Sequence, residues 1–142
     1  MINLFFEEIE PFELNPDIYK DWLSVVCVEE QKELNEVNLI FCSDDYLLNM
    51  NIEFLQHDYY TDIISFDYCE GKLIAGDLFI SIDRVTENAV SNKVGFLIEL
   101  NRVVVHGVLH LCGYKDKSEC EAQVMRGKED YYLSKIVSRE TI

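Results

Sequence analysis

The most apolar long segment of the chain, residues 95–112, reads GFLIELNRVVVHGVLHLC. Its length and apolar character predict a helix that lies at the centre of the protein core. Gly113 follows directly and is expected to end this helix, because glycine readily adopts the left-handed backbone conformation found just past helix ends. A helix that is apolar on most sides has to be covered, so the rest of the chain must supply a sheet and further helices around it.

Four other segments have the short, β-branched or alternating apolar character of strands. They are INLFFEEI, EVNLIFCS, DIISFDY and KLIAGDLFISI. Helices are predicted between and after them, which gives the order β-α-β-α-β-β-α-α-α. We therefore predict an α+β fold in which residues 1–142 form a single metal-binding domain. Its mixed four-stranded sheet is expected to pack with about five helices.

Capping residues mark the predicted starts of four helices. These are Asn15 followed by Pro16, then Ser43 or Asp44, then Asp83, and finally Ser118. Ser118 and Glu121 together have the pattern of a capping box. We expect the first helix to run to about Leu34 and the last to about Val137.

Two of the three histidines, His106 and His110, lie four residues apart in the apolar segment. On a helix they project from one face about one turn apart, which suits two imidazoles on one transition-metal ion. Gly113 breaks the helix and lets the chain turn back, so that Asp116 is aimed at the same ion. The pattern HxxxHxxGxxD predicts three protein ligands with a fourth position for water, as in catalytic zinc sites.

Gly107 stands directly after the first of these histidines. Peptidases of the HExxH type carry a glutamate there, which acts as general base on the zinc-bound water. The glycine disfavours a zinc metallopeptidase, although HxxxHxxGxxD also resembles zinc endopeptidases with an aspartate as third ligand. Other hydrolysis stays open, because a metal alone lowers the pKa of its bound water to about 7.

The charge of the chain restricts its partners. Against 12 Lys+Arg stand 27 Asp+Glu, a net charge of −15, whereas nucleic-acid-binding proteins usually carry a basic surface. An RNA-binding role therefore requires a local patch, a bound cation or a partner protein. The acidity by itself indicates only a soluble protein.

The five cysteines, which lack CxxC spacing, predict reduced thiols in a cytoplasmic protein. No uninterrupted apolar run reaches the roughly 18 residues of a membrane span, so no membrane association is expected. The N-terminal segment MINLFFEEIEPFE lacks the basic part of a standard signal peptide.

Three segments, in order, resemble a known family. VVHGVLHLCGY (104–114) strongly resembles the signature of the YbeY family, bacterial rRNA maturation factors described as single-strand endoribonucleases. YTDIISF (60–66) and GDLFIS (76–81) resemble the family's blocks around its third and fourth strands. The resemblance is close from about Asn49 to Glu121 and covers the rest of the chain loosely.

The resemblance implies a metal-dependent hydrolase, an endonuclease that cleaves single-stranded RNA during 16S rRNA maturation and ribosome quality control. It implies one divalent metal ion, zinc first, held by His106, His110 and Asp116, which would act in catalysis through the water on that ion. The implied partners are rRNA and the small ribosomal subunit or a ribosomal protein, and not DNA.

The chain departs from the family pattern at two positions. The family usually has a histidine as third ligand where this chain has Asp116, preceded here by Lys115. An oxygen ligand suits zinc, and it also favours a harder ion such as manganese. Where the family carries an arginine thought to touch RNA phosphate, this chain has Leu55. The second departure leaves open a non-catalytic ribosome-associated assembly factor whose metal is structural.

Four further residues are candidates for the site. Asp62 and Asp77 are candidates for the general base, and Asp77 also for a residue that orients a ligand histidine. Arg102, one helical turn before the first ligand histidine, and His57 are candidates for contact with substrate phosphate. Each has an alternative without a role in the site. These are the start of a strand for Asp62, a strand residue facing the surface for Asp77, an ion pair with Glu99 or another acid for Arg102, and an exposed loop histidine for His57.

Overall fold

The computed structural model describes residues 1–140, with side chains described for residues 1–136. Its strands are β1 (Ile2–Glu7), β2 (Glu33–Cys42), β3 (Ile63–Asp67) and β4 (Leu73–Ser81). Its helices are α1 (Pro16–Glu29), α2 (Asp44–Leu55), α3 (Ile82–Asn92), α4 (Phe96–Leu111) and α5 (Glu119–Glu140). The predicted element order and the α+β class are confirmed, as is the mixed four-stranded sheet with five helices.

The four strands form one sheet in the order β1-β2-β4-β3. β2 pairs in parallel with both β1 and β4, whereas β3 pairs antiparallel with β4 at one edge. The parallel pair of β1 and β2 is connected by α1, because parallel neighbours need a long crossover. The antiparallel pair needs only a short turn, in which Gly71 adopts φ 59°.

Helix α4 lies across one face of this sheet at the centre of the core, as the sequence predicts. Ten of its 16 residues are buried, so only a narrow stripe reaches the surface, and His106 and His110 lie on that half-buried stripe. The helix end approaches the sheet closely at Gly76 in β4. A Cβ atom added there would lie 2.5 Å from the carbonyl oxygen of Phe66 and 3.0 Å from Cδ2 of Leu111.

The end of helix α1 corrects the predicted boundary. The helix ends at Glu29 rather than at about Leu34, and Leu34 lies in β2. Gln31 adopts a left-handed backbone conformation, with φ 62°, and the chain pairs with β4 from Glu33 onward. The segment 30–32 contains neither glycine nor proline, so the usual signals of a turn are missing from the sequence.

Three of the predicted caps are confirmed. The side chain of Asn15 accepts from the N–H of Asp17 at 3.0 Å, and Ser43, rather than Asp44, caps α2. Ser118 and Glu121 exchange two side chain–backbone hydrogen bonds of 3.0 Å each, which is the reciprocal pairing of a capping box. Helix α5 runs to Glu140, somewhat beyond the predicted end.

The predicted cap of α3 is wrong. This helix begins at Ile82, and Ser81 accepts from the N–H of Arg84 at 3.1 Å. Asp83 lies in the first turn, where its carboxylate accepts from the N–H of Asp44 at 2.8 Å instead. A serine two residues earlier competes for the same role, because serine and aspartate cap helices about equally well.

Within residues 1–140 no single helix is long and apolar enough to cross a membrane. Helices α3 and α4 are long and apolar enough only when taken together, and the chain bends by 116° between them.

Candidate metal centre and its flanking clefts

Helix α4 and the turn that ends it position the predicted ligands. The N–H of Gly113 donates to the carbonyl of His110 at 3.0 Å, and the N–H of the next residue donates to the preceding carbonyl, also at 3.0 Å. These two bonds form a Schellman motif, in which Gly113 adopts φ 110°, a conformation that favours glycine. The chain thereby turns back along the helix end and places Asp116 beside His106 and His110.

Three ligand atoms converge at this point. The Nε2 atoms of His106 and His110 lie 3.0 Å apart. The Oδ2 atom of Asp116 lies 3.2 Å from the first and 3.5 Å from the second. Ligands held about 2.0–2.1 Å from a tetrahedral zinc ion lie about 3.3–3.4 Å from one another. Among the described residues, this group therefore has the spacing that a metal ion requires.

The other ring nitrogen of each histidine faces an acceptor. Nδ1 of His106 lies 2.6 Å from Oε2 of Glu129, and Nδ1 of His110 lies 2.9 Å from the carbonyl oxygen of Tyr114. A carbonyl or an ionised carboxylate only accepts, so each neutral ring carries its proton on Nδ1. The Nε2 lone pairs and the Asp116 oxygen then face one another. Three such acceptors within 3.5 Å require a cation or a proton between them.

Glu129 of α5 connects the site to a second ion pair. Its Oε1 atom accepts from Arg102 at 2.9 Å, and Arg102 also donates to Asp130 at 2.7 Å. Glu129 is only 5% exposed, and its charge is balanced by the guanidinium. Burial lowers the pKa of His106, but the hydrogen bond and charge of Glu129, with two further carboxylates, outweigh burial and leave the pKa raised.

Tyr114 anchors the turn that holds His110. Its hydroxyl donates to Oε1 of Glu30, just past the end of α1, at 2.6 Å. The other oxygen of Glu30 accepts from Lys128 at 3.1 Å and from Tyr132, both in α5. This carboxylate therefore connects α1, α5 and the turn, and it fixes the backbone carbonyl that accepts from His110.

Two clefts meet at the candidate metal centre. Both are lined by Asp62, His106 and Asp116, and His110 lines the second of them. The α4–α5 cleft lies between those helices and includes Glu99, Arg102, Met125, Arg126 and Glu129. The α2–β3 cleft lies between the end of α2, the start of β3 and α4, and it includes Asn51, Leu55, His57, Tyr59, Ser65 and Lys117. A chain-like ligand that crosses the ligand atoms would occupy both clefts.

Asp62 lies at the junction of the two clefts, immediately before β3. Burial raises the pKa of its carboxyl group, and the nearby charge of His106 lowers it by less. A carboxyl group with a raised pKa beside metal ligands is suited to exchange protons with a substrate or water. The structure thus brings this predicted general base to the site.

Asp77 does not reach the site, which corrects the roles predicted for it. Its neighbours Gly76 and Leu78 face α4, and side chains alternate along a strand, so Asp77 points to the opposite face of the sheet. There its carboxylate accepts from Nδ2 of Asn38 at 2.8 Å. The carboxylate that contacts a candidate ligand histidine is that of Glu129 instead.

The two predicted phosphate contacts differ in their surroundings. Arg102 lines the α4–α5 cleft, but it forms the alternative ion pair, with Glu129 and Asp130 rather than with Glu99. His57 lies exposed in the α2–β3 cleft, and its ring stacks on Tyr59 with centroids 5.2 Å apart.

Leu55, which stands where the resembled family carries an arginine, lines the α2–β3 cleft beside His57. The position therefore faces the site, but it supplies no cation in this chain.

Gly107 shows why a glutamate is missing after the first ligand histidine. A Cβ atom added there would lie 2.7 Å from Cδ1 of Ile63 and 2.9 Å from Cδ1 of Leu78. A side chain at this position would meet the sheet and not the ligand atoms. The general base of an HExxH peptidase therefore has no place here, which counts against the peptidase alternative.

Glu129 is a residue of the candidate site that the sequence did not predict. In α5 it lies on the same face as Met125, Tyr132, Leu133 and Ile136, all of them buried. A carboxylate within an apolar helical stripe needs a partner once it is buried. This pattern indicates a buried carboxylate that needs a partner, but the sequence does not show which residue of another helix is that partner.

Comparison with known proteins places this chain in a family. The family model described as Endoribonuclease YbeY matches residues 7–137. The Endoribonuclease YbeY of Flavobacterium johnsoniae is 53% identical over 131 residues, which cover 92% of this chain and 93% of that protein. The protein of the same description from Porphyromonas gingivalis W83 is 44% identical and covers 99% of this chain and 92% of its own length.

A solved structure has the same fold. The solution structure of a Thermotoga maritima protein superposes with a TM-score of 0.71 at 27% sequence identity, covering 99% of this chain and 92% of the other. The likeness extends over all the elements that build the candidate site.

Proposed function

The chain belongs to the YbeY family of endoribonucleases, and we propose that it is a metal-dependent enzyme that cleaves single-stranded RNA in 16S rRNA maturation and ribosome quality control. The observation that carries the metal dependence is the convergence of two Nε2 lone pairs and a carboxylate oxygen within 3.5 Å of one another. Such a group of acceptors is stable around a divalent cation.

Each residue of the site has a role in this proposal. His106, His110 and Asp116 hold the ion, while Glu129 and Tyr114 fix the two rings in the tautomer that offers Nε2. When bound, a divalent ion supplies Lewis acidity, which polarises a phosphoryl oxygen and makes water more acidic. Zinc is our first expectation, because two nitrogens and one oxygen suit it, and manganese is the alternative.

Asp62 is the proposed general base. Its carboxylate lines both clefts, so it can accept a proton from water that attacks a phosphodiester at their junction. Its raised pKa brings its proton affinity closer to that of an effective base near neutral pH. The scissile phosphate would lie between Asp62 and the three ligands, with RNA on either side in the two clefts.

The proposed partners follow from the family and from the charge. We propose that the substrate is rRNA in the small ribosomal subunit, and that a ribosomal protein assists binding in the cytoplasm. A chain of net charge −15 repels free RNA. A bound cation and a partner protein would offset that repulsion where cleavage takes place.

The test is cleavage of a single-stranded RNA that contains a 16S rRNA end. Wild-type protein loaded with zinc should cleave it, and His110→Ala should lower the rate about 100-fold or more, because the loss of metal removes several kcal/mol of stabilisation. Asp116→His, which restores the family's ligand, is the matched control and should retain both metal and cleavage. Equal rates for wild type and His110→Ala would contradict the proposal.

One observation favours a second function, that of an assembly factor without catalysis. Leu55 lines the α2–β3 cleft where the family carries an arginine, so one expected cation is missing. An Asp116→Ala variant separates the two functions. If it no longer binds metal but still corrects an rRNA-processing defect in cells, the metal is not catalytic and the assembly function is correct.

A further inference from the structure

Three basic side chains line the clefts that meet at the metal centre. Arg102 and Arg126 lie in the α4–α5 cleft, and Lys117 lies in the α2–β3 cleft. Arg102 is held by Glu129 and Asp130. Arg126 and Lys117 are exposed, and neither side chain forms an ion pair with any residue in the described part of the chain. These two cations are therefore available to a ligand.

The two free cations line different clefts, and these clefts share Asp62, His106 and Asp116. Arg126 precedes Glu129 by three residues in α5, so both lie on one face of that helix. Lys117 follows the ligand Asp116 directly in the chain. One cation thus lies on the same helix face as the residue that contacts His106, and the other directly follows a candidate ligand in the chain.

Acidic side chains also line both clefts, and they would repel the phosphates of a bound RNA strand. Glu99, Asp62 and Asp116 line the α4–α5 cleft, and Asp62, Asp67 and Asp116 line the α2–β3 cleft. A divalent ion offsets the charge at the centre of this arrangement but not at its two ends. A strand whose phosphates continue into both clefts needs one positive charge on each side.

We infer that Arg126 and Lys117 bind the phosphates that flank the scissile phosphate of the RNA, one in each cleft. The inference rests on the proposed function. These two side chains would supply positive charge, which Leu55 does not. RNA binding should then depend on the sugar–phosphate backbone of a single strand rather than on its sequence.

The test measures RNA cleavage and RNA binding by Arg126→Gln and Lys117→Gln at several salt concentrations. Each variant should raise KM about tenfold and change kcat less than about twofold, because it loses one charge-assisted contact. The slope of log K against log[salt] should fall by about 0.7 for each lost contact to a single strand. Metal content should equal that of the wild type.

Lys20→Gln is the matched control, because Lys20 is an exposed lysine of α1 that lines neither cleft and its loss changes the net charge equally. Arg126→Lys and Lys117→Arg should retain the wild-type slope. If the wild type cleaves RNA but Arg126→Gln and Lys117→Gln behave like Lys20→Gln, this inference alone is overturned. Binding without cleavage by the wild type overturns the proposed function, while the salt slopes still decide the inference. No binding by the wild type overturns both.

Discussion

Replacing Glu129 by alanine tests whether this carboxylate prepares His106 for the metal. The change removes the acceptor 2.6 Å from Nδ1 of His106 and one of the two carboxylates that pair with Arg102. The imidazole then loses both its fixed tautomer and its fixed orientation. Loss of such a partner typically lowers metal affinity about 10–100-fold, or about 1.4–2.8 kcal/mol.

The same substitution should also destabilise the metal-free protein. Arg102, with a side chain 17% exposed, keeps only Asp130, whose side chain is 60% exposed. Removal of one partner of a largely buried charge costs about 1–3 kcal/mol when another partner remains. Zinc affinity is measured by competition with a chromogenic chelator, and stability by urea unfolding of the metal-free protein.

Two variants separate the positioning of His106 from the loss of the ion pair. Asp130→Asn removes the other partner of Arg102 but touches no ligand, so zinc affinity should change less than about twofold. Glu129→Gln retains an acceptor for Nδ1 without the charge, so its affinity should lie between wild type and Glu129→Ala. If Glu129→Ala binds zinc as tightly as Asp130→Asn, the carboxylate does not position the histidine.

Three further predictions follow from the same site. Because the pKa of His106 is raised in the folded metal-free protein, its protonation stabilises that form fully below the unfolded pKa of about 6.5, and this stabilisation is lost as the pH rises through the folded pKa. Zinc affinity should instead increase as the pH rises, since zinc binds the neutral ring. Thermal unfolding of the wild type and of His106→Asn across this pH range checks the stability, and zinc competition checks the affinity. A stability advantage of the wild type over His106→Asn that grows with pH would contradict the first expectation. In urea unfolding, Gly107→Ala should destabilise the metal-free protein by about 1–3 kcal/mol, because the added methyl group overpacks against the sheet. Gly127→Ala is the control, since nothing lies within 4 Å of its added Cβ. It should be neutral or stabilise the protein by up to about 1 kcal/mol. Asp62→Asn should lower kcat about 100-fold or more with unchanged metal content; unchanged kcat would exclude Asp62 as the general base.

The convergence of the candidate metal ligands could be predicted from the sequence because their arrangement is local. His106 and His110 share a helix face by their spacing alone, and Gly113 predicts the turn that returns Asp116 to them. All three lie within eleven residues, so no long-range packing had to be known.

The surrounding residues could not be predicted, because their positions depend on how distant elements pack. Glu129 contacts His106 across 23 residues, and only the packing of α5 on α4 brings them together. The alternation of β4 shows that Asp77 and Leu78 face opposite sides of the sheet. It does not show which side α4 covers, and the expectation for Asp77 was wrong for that reason.

The central claim is that His106, His110 and Asp116 bind a metal ion, and the metal content of the purified protein tests it most directly. Protein prepared without chelators or metal-affinity resin should contain about one equivalent of a divalent ion by elemental analysis, because sites of this type bind tightly. Less than about a tenth of an equivalent, with no uptake of added zinc or manganese, would contradict the metal centre and the mechanism built on it.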